Sequence, residues 1–165
     1  MTERRVVKRT ARAILLDDGP DGSPRMILIK RTKPGEEPYW ITPGGGVEPD
    51  DDTVVAALHR ELDEELGAKA TDVVPAFVDT VPYEEGDAPA DGLKVQHFFV
   101  CRLESMDLAR RHGPEVEQPC GTYEVVRVPF TRAGVASVPL VPPALRAYLD
   151  ANIEGVLALL AGDFG

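Results

Sequence analysis

A glycine-rich bend followed by an acidic helix constrains this chain more than any other stretch of its sequence. The stretch is PGGGVEPDDDTVVAALHRELDEELGA, residues 43–68, and we call its glycines at 44–46 the glycine bend. Apolar residues recur at helical spacing, which predicts an amphipathic helix over residues 53–66. Its buried stripe is predicted to comprise Val55, Leu58, Leu62 and Leu66. Thr53, or Asp52 before it, is a competent N-cap, and Gly67 stands where helices commonly end in the left-handed conformation.

Three acids gather on another side of this predicted helix. Glu61, Glu64 and Glu65 are neighbours there, because residues three and four apart lie one above the other. Like charges at this spacing destabilise a helix by about 0.2–0.5 kcal/mol per pair, so the patch needs compensation. Arg60 reaches Glu64 one turn on, but it is a single cation. A hard divalent ion would supply the remaining positive charge, since Mg²⁺ takes oxygen ligands and is bound by protein carboxylates and substrate phosphates at the same time.

These residues resemble the signature of the Nudix hydrolases, G-x5-E-x7-R-E-U-x-E-E-x-G-U, in which U is a bulky aliphatic residue. The positions that match in register are Arg60, Glu61, Leu62, Glu64, Glu65 and Gly67. The early part of the signature departs from the pattern. Counting back from the helix places Gly46 and Asp52 at the opening glycine and the first acid, whereas counting forward from the Pro-Gly-Gly selects Gly45 and Asp51. Both registers stay open, and Ala68 occupies the last aliphatic position.

The resemblance implies both a fold and an activity. The implied fold is of the α/β class, a Nudix-type α/β/α sandwich with a mixed β-sheet, formed here by a single domain spanning residues 1–165. The implied reaction cleaves the diphosphate linkage of a nucleoside diphosphate linked to another moiety. It proceeds by Mg²⁺-assisted attack of water on phosphorus, with Mn²⁺ as the alternative ion. The expected partner is therefore a small nucleotide-type diphosphate.

The resemblance also assigns roles within the signature. Glu61 and Glu65 correspond to the family's principal metal ligands, and Glu64 to a ligand or to the base that activates the water. Arg60 corresponds to the group that orients a glutamate. A backbone carbonyl of the bend, that of Gly46 or of its neighbour in the other register, completes the metal shell.

Further candidate residues lie outside the signature. Many family members take another metal ligand or base from an acid on a loop ahead of a later strand, and Glu115 and Glu117 are the candidates here. Arg12, Arg31 and Tyr39 are candidate substrate-binding residues. The two arginines lie closest to the cleft in the family's layout, and Tyr39 could stack on a base of the substrate. Ordinary polar-loop, strand-edge and half-buried roles are the structural alternatives for these residues.

Charge and composition exclude several classes of partner. The formal net charge of −10 argues against a nucleic-acid polymer or a membrane surface, because those partners require basic patches. The cysteines, at positions 101 and 120, form no disulfide framework and no metal-type spacing, which favours a reducing cytoplasm. No signal-peptide core or membrane-length apolar run is present. We expect a cytoplasmic protein, and the family's frequent homodimer is one oligomeric state to test.

Periodicity and turn composition predict the remaining elements. Strands are predicted at residues 6–16, 26–30, 73–81, 94–103 and 123–130. The first two should form a hairpin across DDGPDGSP, and Pro75 should break the third. Residues 104–121 should be irregular with one helical turn near 106–111. From Pro142 a second helix should pack on the sheet face opposite the acidic helix.

Two alternative functions remain at this point. A Nudix-fold module could bind a nucleotide or metabolite without cleaving it, and the aspartate in place of the early glutamate is the one feature in its favour. A related isomerase of allylic diphosphates places a catalytic cysteine at the start of the signature, where this chain has Pro43 and Gly44. Release of phosphate or of a nucleoside monophosphate would distinguish the hydrolase from both.

Overall fold

The computed structural model describes residues 4–83, 86, 90–113 and 121–161, and these form a sheet with helices on both faces. The strands are β1 (Arg5–Asp18), β2 (Pro24–Thr32), β3 (Tyr39–Ile41), β4 (Gly44–Gly46), β5 (Ala68–Pro82), β6 (Gly92–Met106) and β7 (Thr122–Pro129). The helices are α1 (Val54–Leu66), α2 (Arg132–Ala136) and α3 (Pro143–Ala161), with a 3₁₀ turn at Leu108–Arg110.

The sheet has seven strands and mixed pairing. Its order is β3-β2-β1-β6-β5, with β4 added against β1 and β7 against β2. β1 and β6 run parallel, and the remaining pairs are antiparallel. One side of the long β1 serves two partners, since residues 15–18 pair with β2 and residues 10–12 pair with β4. This arrangement holds the glycine bend beside the middle of β1.

Alternating residues of β1 supply two separate cores, one on each face of the sheet. Ala11, Ala13 and Leu15 are fully buried with the apolar stripe of α1. Ile14 and Leu16 point the other way and are buried with α3. A fully buried leucine or isoleucine stabilises a fold by about 1.5–3 kcal/mol. Burial therefore holds α1 on one face of the sheet and α3 on the other. The predicted α/β/α sandwich with a mixed sheet is confirmed.

The acidic helix α1 forms as its local sequence predicts. Thr53 is the N-cap, and its hydroxyl oxygen accepts a hydrogen bond from the Ala56 amide at 3.0 Å. Gly67 ends the helix at φ 57°, the left-handed conformation that costs a glycine little. The predicted stripe residues Leu58, Leu62 and Leu66 are fully buried. Val55, the fourth member, is partly buried.

The structure corrects the prediction that Pro75 breaks a strand. β5 continues through it, with register shifts against β6 around Thr71–Val74 and Pro75–Phe77. Proline lacks an amide N–H, but an edge strand with bulges tolerates it, and β5 is the last strand in the sheet order. The irregular stretch also begins later than predicted, because β6 extends to Met106. Sequence analysis missed the short elements β3, β4 and α2.

Candidate active site

A cavity of about 330 Å³ lies between the glycine bend and α1. We call it the carboxylate cavity, because Glu48, Glu61, Glu64 and Glu65 all line it. Gly46 of the bend lines it as well. The structure therefore brings together the three helix acids and the bend glycine that were named as candidate metal ligands from the sequence.

Two of these acids are buried instead of projecting into solvent. Glu61 is 7% exposed and Glu65 is 5% exposed, and they lie one helical turn apart on α1. The Gly44 amide N–H points at Glu65 Oε1 across a long contact of 3.4 Å. Carboxylates are rarely buried to this extent unless charge or hydrogen bonds compensate them. The site therefore concentrates negative charge where water has little access.

Gly45 allows the bend to approach Glu61 closely. A Cβ built on Gly45 would stand 2.5 Å from both the Cδ and Oε1 atoms of Glu61, a separation that real side chains do not adopt. The next glycine is different, since a Cβ on Gly46 would meet only Lys8 Cε at 3.7 Å. A Cβ at Gly45 would therefore displace the Glu61 carboxylate from this position, whereas a Cβ at Gly46 is sterically allowed.

Arg60 links the acids of α1 to the loop that precedes it. Its Nη1 donates to Glu61 Oε1 at 3.0 Å and to Glu64 Oε2 at 3.3 Å. Its Nη2 donates to the Gly46 carbonyl at 2.8 Å and to Asp51 Oδ2 at 2.9 Å, while Nε donates to Asp51 Oδ1 at 3.0 Å. The hydrogen bond with Asp51, followed by the charges around it, raises the pKa of Arg60 above its ordinary value. Arg60 is therefore a permanent cation among acids.

The structure pairs Arg60 with Asp51, while Asp52 is exposed. Asp51 is fixed by a turn in which its amide donates to the Glu48 carbonyl at 3.0 Å and its Oδ2 accepts from the Glu48 amide at 2.8 Å. The Arg60 hydrogen bond is the first cause that holds the pKa of Asp51 below its usual range. Pro49 is the second residue of this turn, a position where proline is favoured. That turn signal could have indicated from the sequence that Asp51 is held in place at the start of α1.

A segment after β6 caps the C-terminal end of α1, and sequence analysis did not identify it. The last turn of a helix leaves carbonyls without intrahelical partners. Here the Glu64 carbonyl accepts from the His112 amide at 2.8 Å, and the Glu65 carbonyl accepts from Arg111 Nε at 2.6 Å. Gly113 follows at φ 97°, and a Cβ there would lie 3.3 Å from Glu64 Oε2. These contacts anchor the part of α1 that carries the site acids.

Arg12, a predicted substrate-binding residue, braces the glycine bend. Its Nη1 donates to the carbonyls of Thr42 and Gly44, each at 3.2 Å. It also lines a separate cavity of about 150 Å³ together with Gln96 and Pro142. Arg12 is thus next to the bend without lining the carboxylate cavity.

The other candidates from the sequence are not brought to the carboxylate cavity by the described residues. Arg31 lies over the ring of Tyr123, 4.8 Å from its centroid. The ring of Tyr39 faces Lys33, whose Nζ lies 6.0 Å from the ring centroid. Glu115 and Glu117 lie outside the residues that the structure describes.

The donor atoms of the carboxylate cavity match a hard cation in kind. Glu61, Glu64 and Glu65 supply carboxylate oxygens, and Gly46 supplies a carbonyl oxygen that also accepts a hydrogen bond from Arg60 Nη2. Within the described part of the chain, no three acidic, histidine or cysteine side chains converge as a complete set of metal ligands. Mg²⁺ does not require such a set, because it usually binds one or two carboxylates and keeps waters and substrate phosphates as its other ligands. The residues present therefore fit a magnesium ion shared with a substrate.

Fold and site together define a class of small α/β domains, sandwiches in which an acidic helix lies against a glycine bend. The model of the NUDIX domain family matches residues 7–137. The chain belongs to the Nudix family.

Solved structures of Nudix proteins share this fold at low sequence identity. A Nudix hydrolase from Nitrosomonas europaea superposes with a TM-score of 0.60 at 18% identity, over 87% of this chain and 86% of that one. The NUDIX domain of Shewanella oneidensis NrtR, in complex with ADP-ribose, gives 0.60 at 16% identity over 91% and 88%. A binary complex of the C. elegans Ap4A hydrolase gives 0.58 at 17% identity over 95% and 100%.

No curated protein sequence matches this chain significantly. Among the described residues, no helix combines the length and the apolar character needed to span a bilayer.

Proposed function

We propose that this protein is a divalent-metal-dependent pyrophosphohydrolase. Its substrate is a nucleoside diphosphate linked to another moiety, and the bond cleaved is the diphosphate linkage. One observation carries the proposal: in a Nudix domain, Glu61 and Glu65 are buried against a glycine bend, in a cavity they share with Glu64 and Gly46. Such a concentration of oxygen donors suits an ion that is itself bound to phosphate.

Glu61 and Glu65 would hold Mg²⁺ or Mn²⁺, with Glu64 and the Gly46 carbonyl as the further donors. When bound, the ion supplies neutralisation of the non-bridging phosphate oxygens and activation of the attacking water. The contribution of the chain is to fix these donors before the substrate arrives. The buried position of Glu61 and Glu65 serves this purpose, because a low-exposure carboxylate has few alternative conformations.

Glu64 is the residue best placed to accept a proton from the water. Its side chain is 23% exposed, against 9% for that of Glu61, so water in the cavity can reach it. The Arg60 hydrogen bond to Oε2 and the capped end of α1 hold Glu64 in position. General-base help of this kind contributes about 10²–10⁴-fold to a rate. Substrate positioning and charge neutralisation must therefore supply most of the acceleration.

Arg60 acts as a positioning residue in this scheme. It contacts Glu61 and Glu64 with one nitrogen and the Gly46 carbonyl with another, so it sets the spacing between helix and bend. Asp51 holds the guanidinium from the opposite side. Loss of Arg60 should therefore disturb the acids without removing any of them.

Two of the similar structures support the substrate class. One is described in complex with ADP-ribose and another as an Ap4A hydrolase. In both compounds a nucleotide is joined to a second group through linked phosphates. Compounds of this class are therefore the first substrates to test with this protein.

A substrate panel with product identification tests the proposal. Nucleotide sugars, dinucleoside polyphosphates, nucleoside triphosphates and ADP-ribose would be incubated with the protein and Mg²⁺ or Mn²⁺, and the products separated by chromatography. We expect release of a nucleoside monophosphate or phosphate from at least one compound. Turnover should nearly vanish in Glu65→Gln and persist in Glu104→Gln, a matched change at an exposed β6 position. A folded protein that binds these compounds but cleaves none would favour the binding module instead.

A further inference from the structure

Lys8 occupies an unusual place in the carboxylate cavity. Among the residues that the structure describes, it is the one lysine or arginine that lines this cavity. Four carboxylates line the same cavity, those of Glu48, Glu61, Glu64 and Glu65. Arg60 is not one of the lining residues, and its nitrogens are engaged with Glu61, Glu64 and the Gly46 carbonyl. Lys8 is therefore the cation best placed to meet an anionic ligand that enters the cavity.

The position of Lys8 is defined by Gly46 and Tyr83. Its Cε lies 3.7 Å from where a Cβ of Gly46 would stand, so the lysine stem passes over the bare glycine. Its Nζ lies 5.5 Å from the centroid of the Tyr83 ring, within the range of a cation–π contact. Tyr83 is fixed in turn, because its amide donates to the Gly92 carbonyl at 2.9 Å and closes the base of the β5–β6 loop.

An irregularity in the sheet accompanies this placement. In the parallel pairing of β1 with β6, Val6 is opposite Leu93 and Lys8 is opposite Lys94, so Val7 is an extra residue on β1. A bulge of this kind interrupts the ladder and redirects the side chains that follow, and bulges are enriched beside active sites. The bulge is thus an observation, independent of the cavity lining, that places Lys8 at an irregularity of β1.

We infer that Lys8 binds a phosphate group of the substrate and selects for ligands that carry a diphosphate. The inference rests on the proposed function for the nature of the ligand. Four carboxylates repel a diphosphate, and a lysine ammonium in the same cavity offsets part of that repulsion while donating hydrogen bonds to phosphate oxygens. Lys8 is accordingly a substrate-binding residue.

Binding of a diphosphate that cannot be hydrolysed tests this inference. Methylenediphosphonate would be titrated into the protein with saturating Mg²⁺, and its Kd measured by calorimetry. Loss of one charge-assisted contact should weaken binding about ten- to a hundredfold in Lys8→Met, and by less than about fivefold in Lys8→Arg. Lys94→Met removes the same charge from the residue opposite Lys8 on β6, and its Kd should stay within about twofold of wild type. Circular dichroism would establish that each variant is folded, with Lys8→Gln replacing Lys8→Met if needed.

The outcomes separate this inference from the proposed function. Lys8-dependent binding of the diphosphonate without any hydrolysis in the substrate panel would support the role of Lys8 and overturn the hydrolase. Hydrolysis in the substrate panel, together with an unchanged Kd and KM in Lys8→Met, would support the hydrolase and overturn the role of Lys8. Equal weakening in Lys8→Met and Lys94→Met would show a general charge effect and would overturn the inference. So would failure of the wild-type protein to bind the diphosphonate.

Discussion

Arg60 and Asp51 are joined at two points, Nε to Oδ1 at 3.0 Å and Nη2 to Oδ2 at 2.9 Å. This fork-to-fork geometry fixes the plane of the guanidinium, which a lysine could not do. The remaining nitrogen, Nη1, then faces Glu61 and Glu64. The orientation of Glu61 and Glu64 therefore depends on an aspartate that lies ten and thirteen residues earlier in the chain, respectively.

Asp51→Asn should lower kcat/KM by about ten- to a hundredfold, because an amide cannot accept both Arg60 hydrogen bonds and Arg60 would no longer hold Glu61 and Glu64 in place. Steady-state kinetics on the best substrate of the panel would measure this. Asp52→Asn is the matched control. Asp52 is exposed, so this change should leave kcat/KM within about twofold. A larger effect at Asp52 than at Asp51 would contradict the role of Asp51 in holding Arg60.

Gly45→Ala should weaken Mg²⁺ binding and activity by more than about tenfold, because the new methyl group would stand 2.5 Å from the Glu61 carboxylate. Gly46→Ala makes the same chemical change one residue later, where the nearest atom is 3.7 Å away. It keeps the carbonyl and should retain most of both properties. Mg²⁺ titration by calorimetry and a kinetic assay would compare the two variants. Equal behaviour of the two would contradict the close approach of the bend to Glu61.

Mg²⁺ should raise the melting temperature of the protein, because an ion bound only by the folded state stabilises it. At a concentration one hundred times its Kd, the ion adds about 2.7 kcal/mol to the free energy of unfolding. For a domain of this size, that raises the melting temperature by several degrees. Differential scanning fluorimetry with and without Mg²⁺ would measure the shift. Glu65→Gln should lose most of it, whereas Glu104→Gln should keep it. A melting curve indifferent to Mg²⁺ in the wild-type protein would count against a metal site.

Cys101 should be unreactive in the folded protein at pH 8. It is fully buried on β6, and burial raises the pKa of its thiol from 9.0 to about 12. A raised folded-state pKa means that this contribution to stability is complete below about pH 9 and declines as the pH rises toward 12. Cys120 lies outside the described residues, so a Cys120→Ser variant isolates Cys101. Thiol labelling of this variant should occur only after unfolding, and rapid stoichiometric labelling of the native protein would contradict the buried position.

The helix α1 could be predicted in detail because its signals are local. The stripe of Leu58, Leu62 and Leu66, the Thr53 cap and the left-handed Gly67 all depend on residues within one or two turns. Three-residue strands such as β3 and β4 carry too few positions for a period to show. Pro75 was misread for a different reason: a local rule about proline yields when the strand is an edge strand with bulges.

The candidate site likewise has contacts that the local sequence predicts and contacts that it does not. Helical spacing alone predicts that Glu61, Glu64 and Glu65 meet. The contacts made by Lys8 and Arg111 come from strands and loops far away in sequence, so no local pattern could show them. Residues 50–52 are three consecutive aspartates, so their order in the sequence does not show which of them pairs with Arg60. The turn at Glu48–Asp51 decides this, because it holds Asp51 against the guanidinium.

The most direct test of the central claim is a crystal structure with Mn²⁺ and methylenediphosphonate, with the ion located by its anomalous scattering. The account predicts an anomalous peak in the carboxylate cavity, bonded to at least two of Glu61, Glu64 and Glu65 and to a phosphonate oxygen. A cavity without such a peak at saturating Mn²⁺, or a peak held by other residues while these acids bind no ion, would contradict it.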